Sequence, residues 1–141
     1  MSIRLGLIAL LCWFGADAAR AQGADPSGLW LTQAGDAKVR VRECGNGICG
    51  AVAWLREAID PATGQPPRDS RNPNPALAQR PIIGLVLFNS MQPSGTARWS
   101  GTIYNADDGQ TYASSIAMTG PNSLRVEGCV GALCGAEIWT R

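Results

Sequence analysis

The chain has 141 residues, a formal net charge of +1 and no histidine. This length suits one domain. The lack of histidine excludes Ser-His-Asp and Cys-His catalysis and most transition-metal sites, and the near-neutral charge gives no electrostatic reason to expect a nucleic acid or an anionic membrane as partner.

Residues 1–21 have the features of a secretory signal peptide. Arg4 supplies a positive start, an apolar run covers Leu5 to Gly15, and Ala19-Arg20-Ala21 is a small-x-small cleavage site. The run is too short to span a membrane, although an N-terminal helix of the folded protein is an alternative. Cys12 follows Leu11, not the small residue of a lipoprotein signal, so we expect no membrane anchor. We therefore predict a single mature domain over residues 22–141, periplasmic or secreted, and the strand pattern described next predicts that this domain is a β-barrel.

The remaining sequence is typical of an all-β protein. Short alternating or β-branched runs are separated by turn residues, which indicates a barrel or a sandwich. Tight turn sequences such as Asp108-Gly109 imply that neighbouring strands are antiparallel. The eight predicted strands are roughly Gly28–Gln33, Ala37–Cys44, Ile48–Leu55, Ile83–Ser90, Ala97–Tyr104, Thr111–Met118, Ser123–Cys129 and Cys134–Arg141.

One connection, between the third and fourth strands, is long and rich in proline. It runs from Arg56 to Pro81, and loops of this length are usually functional or disordered. Eight antiparallel strands that close into an up-and-down barrel leave no free edges. In such a barrel this loop lies at the upper end, where we expect it to act as a lid.

A cysteine pattern occurs twice, as C-x4-C-G-A-x-x-W. The first copy contains Cys44 and Cys49, and the second contains Cys129 and Cys134. The predicted topology puts the two copies at opposite ends of the barrel, farther apart than a disulfide permits, so we predict Cys44–Cys49 and Cys129–Cys134 bridges. Zinc bound by four thiolates is the alternative, but it is disfavoured by the x4 spacing and by an oxidising compartment.

Several segments in combination resemble the bacterial DUF2147 family. They are Asp25–Trp30, Cys44–Gly50, Arg80–Leu85, Ile103–Tyr112 and Trp139–Arg141. The resemblance covers essentially the whole mature chain. It implies an exported bacterial protein and leaves the biochemical activity open.

A second resemblance is to the lipocalin-like, or calycin, barrels. Gly28-Leu29-Trp30 matches the Gly-x-Trp of their first strand, and Arg141 matches the arginine that ends their last strand. The resemblance implies a structural role in which the guanidinium of Arg141 packs on the ring of Trp30, a favourable cation–π contact.

Aromatic and polar residues cluster at the predicted upper end. Alternation along the third strand gives Trp54 the same face as Val52, and small residues such as Gly101 would leave space inside the barrel. Aromatic walls with a few polar groups are the usual form of a small-molecule site. Our candidate contacts for a small apolar or amphipathic ligand are Trp54, Tyr104, Asn105, Asp108 and Tyr112. Ordinary turn chemistry is the alternative for Asn105–Gly109, and a filled core is the alternative for the interior.

Catalysis and metal binding have little support in the sequence. Paired carboxylates remain possible acid–base groups, as Glu57 with Asp60 or Asp107 with Asp108, but we find no nucleophile or cofactor motif. Asp69–Asn74 offers oxygen ligands for calcium, but it lacks the regular spacing of acidic residues that a calcium-binding loop has. We expect that the protein is not an enzyme and that it binds no cofactor and no metal.

The alternative function is protein binding. A cystine-bearing barrel with rigid loops would suit a protein-interaction module of the cell envelope, such as an inhibitor of an exported hydrolase or a scaffold. An open interior favours the ligand-binding hypothesis, and a filled interior favours the protein partner.

Overall fold

A computed structural model describes residues 24–141 of the chain, so the predicted signal peptide lies outside the described residues. The strands are β1 Gly28–Leu31, β2 Ala37–Cys44, β3 Gly47–Leu55, β4 Val86–Gly95, β5 Arg98–Asn105, β6 Gln110–Gly120, β7 Ser123–Val130 and β8 Leu133–Thr140. They form one closed barrel in chain order, with every neighbouring pair antiparallel. The predicted all-β up-and-down barrel is confirmed.

Within residues 24–141, no helix is long and apolar enough to cross a membrane.

The lower part of the barrel is filled by side chains. A single cluster of buried residues occupies it, and its members are Trp30, Val39, Val41, Ile48, Phe88, Met91, Trp99, Ile116, Leu124, Val126 and Trp139. Burying each large apolar side chain stabilises the fold by about 1.5–3 kcal/mol. A Cβ atom added to Gly50 would lie 2.3 Å from Cζ of Phe88. The ring of Phe88 therefore fills the space that the glycine leaves.

The Trp30–Arg141 contact forms the floor of the barrel. The guanidinium carbon of Arg141 lies 4.3 Å from the centroid of the Trp30 ring. The guanidinium also donates to the carbonyl of Ser27 at 2.8 Å and to the carbonyl of Pro121 at 2.7 Å, and Gly28 lies directly beside it. These contacts join the start of β1 to the turn between β6 and β7.

The two predicted disulfides are confirmed. Cys44 is bonded to Cys49 in the turn between β2 and β3, and Cys129 is bonded to Cys134 across the turn between β7 and β8. These turns lie at opposite ends of the barrel, as predicted. All four cysteine sulfurs of residues 24–141 are therefore engaged, including the two beside Glu127, and within these residues no thiolate remains for zinc. Structural disulfides indicate a non-cytoplasmic protein.

The first strand is shorter than predicted. It ends at Leu31 and not at Gln33, because the turn starts early: Thr32 donates its N–H to the carbonyl of Ala37 at 3.0 Å, and Gly35 donates to the carbonyl of Thr32 at 2.9 Å. The early turn takes residues 32–36 out of the barrel wall.

The fourth strand lies farther along the chain than predicted. It covers Val86–Gly95, where the sequence predicted Ile83–Ser90. The predicted strand stopped short of Pro93, because proline is typical of turns. Pro93 instead pairs with Trp99 of β5, while pairing between β3 and β4 extends no farther than Met91. Proline is tolerated where a strand has lost one neighbour, since no ladder bond needs its N–H.

The predicted orientation of Trp54 is wrong because β3 contains a bulge. Lys38 pairs with Trp54, and the next residue, Val39, pairs with Val52, so Ala53 is an extra residue in β3. A bulge of one residue reverses the alternation beyond it. Trp54 therefore shares a face with Lys38, whose Nζ lies 5.1 Å from the centre of the indole, and does not share the inner face of Val52.

The barrel wall is thin where β1 meets β8. Only Leu31 and Thr140 pair across this seam, and above them the side-chain oxygen of Gln33 accepts the N–H of Ile138 at 2.8 Å. Within residues 24–141, the upper part of β8 has β7 on one side and no strand on the other. The residues of β8 before Trp139 are all exposed, so the barrel interior is accessible to solvent at this seam.

Candidate functional site

The inner face of β5–β8 carries a row of residues with almost no side chain. Gly101 pairs with Ser114, Ser114 with Gly128, and Gly128 with Gly135. Directly opposite residues of an antiparallel sheet share a face. The adjacent lower row contains the core residues Trp99, Ile116 and Val126, which shows that the glycine row also faces inward. We call this row, from Gly101 to Gly135, the glycine trough.

The trough is filled at one end and open at the other. A Cβ atom on Gly101 would lie 3.1 Å from Cγ of Met91, and one on Gly128 would lie 3.5 Å from Cβ of Tyr112. A Cβ atom on Gly135 would meet nothing within 4 Å. The open end therefore lies along β8, at the same place as the gap in the barrel wall.

A carboxylate stands at the open end of the trough. Glu137 pairs with Val126 of the core and lies two residues from the buried Trp139, so its side chain belongs to the inner face. The indole N–H of Trp139 donates to the carboxylate of Glu137. Among residues 24–141, no cation forms an ion pair with Glu137. The open end of the trough thus carries an uncompensated negative charge.

Tyr112 and Leu133 form the upper border of the trough. Tyr112 pairs with Ile103, a partly buried residue packed on the core, so its ring is on the inner face. Its hydroxyl donates to the carboxylate of Asp108, and this bond, with a smaller contribution from burial, raises the pKa of Tyr112. Leu133 is 82% exposed. The border therefore offers one aromatic and one aliphatic surface to a bound molecule.

The long loop is held to the barrel through a buried carboxylate. Asp69 is 0% exposed. Its oxygens accept the hydroxyl of Tyr104 at 2.6 Å, the amide of Asn72 at 3.0 Å and the guanidinium of Arg80 at 2.9 Å. We call these four residues the Asp69 cluster. Burial raises the pKa of Asp69, but the three hydrogen bonds and the charge of Arg80 outweigh burial and lower it overall.

The Asp69 cluster places the loop outside the barrel. Ile103 packs on the core, so Tyr104, the next residue, points outward, where it bonds to Asp69. The carbonyl of Arg71 closely approaches Gly109 in the turn between β5 and β6, with no room for a Cβ atom. The centre of the loop therefore docks on the outer side of the β5–β6 hairpin and does not cover the interior, which corrects the expected lid. Because three donors already use both oxygens of Asp69, its carboxylate is also a poor calcium ligand.

The predicted ligand contacts are only partly brought together. Tyr112 and Asp108 lie together at the border of the trough. Asn105 is a turn residue whose side chain accepts the N–H of Asp107 at 2.9 Å. Tyr104 belongs to the Asp69 cluster, and Trp54 lies beside Lys38 on the outer face. Sequence reasoning missed Glu137 and Gly135, although their spacing from Trp139 indicated a shared face.

Two small surface depressions lie away from the trough. One, of about 120 Å³, lies on the outer face beside Arg42 and Asn89. The other, of about 290 Å³, lies at the closed end between Pro26, Pro93 and Trp99. Both are smaller than typical small-molecule pockets. We therefore regard the trough as the better candidate site.

Comparisons with known proteins agree with this architecture. A structure described as "Protein HP1028 from the human pathogen Helicobacter pylori belongs to the lipocalin family" matches with a TM-score of 0.71 and 21% sequence identity, over 84% of this chain and 83% of that one. The likeness establishes a lipocalin-like fold. A search of the curated proteins finds no match. The family model described as "Uncharacterized protein conserved in bacteria (DUF2147)" matches residues 28–141, and the chain therefore belongs to the DUF2147 family.

Proposed function

We propose that the protein is exported, periplasmic or secreted, and that it binds a small amphipathic ligand in the glycine trough without catalysing a reaction. The observation that carries this proposal is the row of glycine and serine on the inner face, open at the gap between β1 and β8. A lipocalin-like fold is compatible with small-molecule binding, and the two disulfides are compatible with export.

The side chains around the trough favour a particular ligand polarity. Tyr112 and Leu133 offer apolar surface, whereas Glu137 is a carboxylate without an ion-pair partner among the described residues. Glu137 is exposed at the gap in the barrel wall, and charges that meet in a complex are usually of opposite sign. We therefore expect a ligand with an apolar body and an ammonium or other donor-rich head.

Absence of catalysis is part of the proposal. The trough offers one carboxylate, a phenol and the hydroxyl of Ser114, which donates to the carbonyl of Glu127 at 2.6 Å. Of the carboxylate pairs considered from sequence, Glu57 and Asp60 lie in the long loop. Asp107 and Asp108 lie in the β5–β6 turn, where Asp108 accepts the hydroxyl of Tyr112 at the border of the trough. Neither pair combines a general acid and a general base inside the trough.

A matched pair of amphiphiles tests the proposal. We expect octylammonium to bind the mature protein at least about tenfold more tightly than octanoate, because only the ammonium gains from Glu137. Isothermal titration calorimetry at neutral pH measures both dissociation constants. Glu137→Gln should remove the preference for octylammonium over octanoate. Gly135→Leu should abolish binding of octylammonium, because the leucine side chain fills the open end of the trough without a clash. Ala136→Leu, on the opposite face of β8, is the control.

Equal binding by Gly135→Leu and Ala136→Leu would contradict the proposed site. A preference for octanoate in the unaltered protein would contradict the proposed ligand charge.

The β8 edge favours a second candidate function, recognition of a protein partner. The N–H of Ile138 points away from β7 toward Gln33, and by alternation the N–H and C=O groups of Cys134 and Ala136 point the same way. No strand of the described chain covers them. Unpaired edges accept an extended segment of another protein as an added strand.

A proline substitution tests the second candidate selectively. Ala136→Pro removes an N–H that the pairing with β7 does not use, whereas Ala136→Thr keeps it. With a photoreactive phenylalanine analogue at Leu133 in intact cells, we expect one crosslinked partner that Ala136→Pro loses and Ala136→Thr retains. A crosslink that survives Ala136→Pro would exclude strand addition at this edge.

A further inference from the structure

Three cations form a straight row on the outside of the barrel. Lys38, Arg40 and Arg42 alternate along β2 with the buried Val39 and Val41, so they share the outer face. Residues two apart on a strand are separated by about 6.6–6.8 Å. The row, which we call the basic row, therefore extends over roughly 13 Å.

The basic row lacks charge partners. The ion pairs of the described chain are Arg80–Asp69 and Arg125–Glu127. No side-chain hydrogen bond of Lys38, Arg40 or Arg42 is present among residues 24–141. Arg141 and Arg80 donate to carbonyl and carboxylate oxygens, whereas no such acceptor bonds to the basic row within the described residues. The positive charges of the row are therefore available to an external anion.

Apolar residues flank the row on both sides. Lys38 pairs with Leu31 of β1 and with Trp54 of β3. Arg40 lies in the same way between Leu29 and Ala51. Arg42 pairs with the disulfide-bonded Cys49. None of these cross-strand partners is acidic.

This combination of cations and apolar flanks distinguishes between anionic partners. A polyanion surrounded by water gains nothing from apolar flanks, whereas a lipid surface offers negative headgroups beside an apolar layer. Tryptophan, 39% exposed at position 54, is enriched at such interfaces because its ring is amphipathic. Lysine and arginine can rest their aliphatic stems on apolar surface while their charges meet the headgroups.

We propose that the outer face of β1–β3, centred on the basic row, docks the protein reversibly on an anionic phospholipid surface. Residues 22–141 contain equal numbers of acidic and basic side chains, so their net charge does not reveal this local excess of positive charge. The proposal concerns the outer face and is independent of ligand binding in the trough.

The expected strength follows from the number of cations. Each lysine or arginine near an anionic bilayer strengthens binding by about fivefold, so three should contribute on the order of 100-fold. The attraction should be screened by salt, because the Debye length falls from about 10 Å at 0.1 M to about 3 Å at 1 M.

Vesicle sedimentation of the mature protein tests the proposal. We expect binding to vesicles containing phosphatidylglycerol but not to pure phosphatidylcholine, with a loss of about 100-fold in the partition coefficient for K38Q/R40Q/R42Q. The matched control, R68Q/R71Q/R98Q, removes the same charge from exposed positions outside β1–β3 and should bind as the unaltered protein does. Trp54→Ala should weaken binding without removing its dependence on phosphatidylglycerol.

Each other outcome overturns the proposal. Equal loss in the two triple variants would show that only net charge matters. Failure of the unaltered protein to bind phosphatidylglycerol vesicles, or binding only to a soluble polyanion such as heparin, would exclude a lipid surface as the partner. Circular dichroism of both triple variants shows that the barrel is intact.

Discussion

Asp69→Asn is expected to lower the free energy of unfolding by about 3 kcal/mol. The carboxylate is fully buried and accepts bonds from Tyr104, Asn72 and Arg80. Breaking a buried ion pair commonly costs about 3–5 kcal/mol, and the lower end applies because Arg80 is partly exposed and can regain water. Urea denaturation followed by tryptophan fluorescence measures the change.

The control for this prediction is Asp107→Asn, which alters an exposed carboxylate in a turn. Equal urea midpoints for the two variants would show that the Asp69 cluster does not hold the loop. The pH dependence gives an independent check. Because the pKa of Asp69 is lowered below its ordinary value of 3.8, its stabilisation is present above about pH 4 and is lost as the pH falls through the lowered pKa. The difference between the unaltered protein and Asp69→Asn should therefore shrink in acid.

Phe88→Ala is expected to cost about 3–5 kcal/mol, the usual range for removal of a buried aromatic ring. The ring of Phe88 fills the space above Gly50, and no neighbouring side chain on β3 can replace it at that position. Chemical denaturation measures the loss, and Val86→Ala, which alters a half-exposed residue of the same strand, should cost less than about 1 kcal/mol.

A coupled substitution extends this prediction. Gly50→Ala alone should cost about 1–3 kcal/mol through overpacking. In the background of Phe88→Ala the added methyl group should instead be tolerated, because the ring that it meets is gone. Additive effects of the two substitutions would contradict the packing described for the lower barrel.

Much of the barrel could be predicted from alternation and turn residues. The eight strands and their antiparallel order followed from period-two patterns and turn residues, and the disulfides followed from the topology of neighbouring strands. Trp54 was misplaced because a bulge leaves no sequence signal when the extra residue is an alanine among other small residues. The fourth strand was misplaced because Pro93 usually marks a turn, and its tolerance here depends on where β3 ends.

The candidate site was less predictable because it depends on strand registers, which the sequence does not show. Gly101, Ser114, Gly128 and Gly135 are far apart in the sequence, and only the registers of three strand pairs bring them into one row. The loop was expected above the interior, but the buried carboxylate of Asp69 holds it outside the β5–β6 hairpin. Such long-range pairing of polar groups is not encoded in local periodicity.

The structure also explains how a small barrel can be both filled and open. The aromatic and aliphatic cluster occupies the lower part, where Trp30 and Arg141 close the floor. Within residues 24–141, the early end of β1 leaves the upper part of β8 without a neighbour on the side away from β7, and the glycines of β7 and β8 border this gap. An open trough above a packed core is the feature that supports a binding function.

Native mass spectrometry of the protein, purified gently from the cells that produce it, tests whether the trough holds a ligand. We expect a reproducible excess mass that disappears on denaturation, that is retained by Ala136→Leu and that is missing from Gly135→Leu. An excess mass retained by Gly135→Leu would contradict the trough as the site. A bare mass for the unaltered protein, unchanged after incubation with octylammonium, would contradict the ligand-binding function itself.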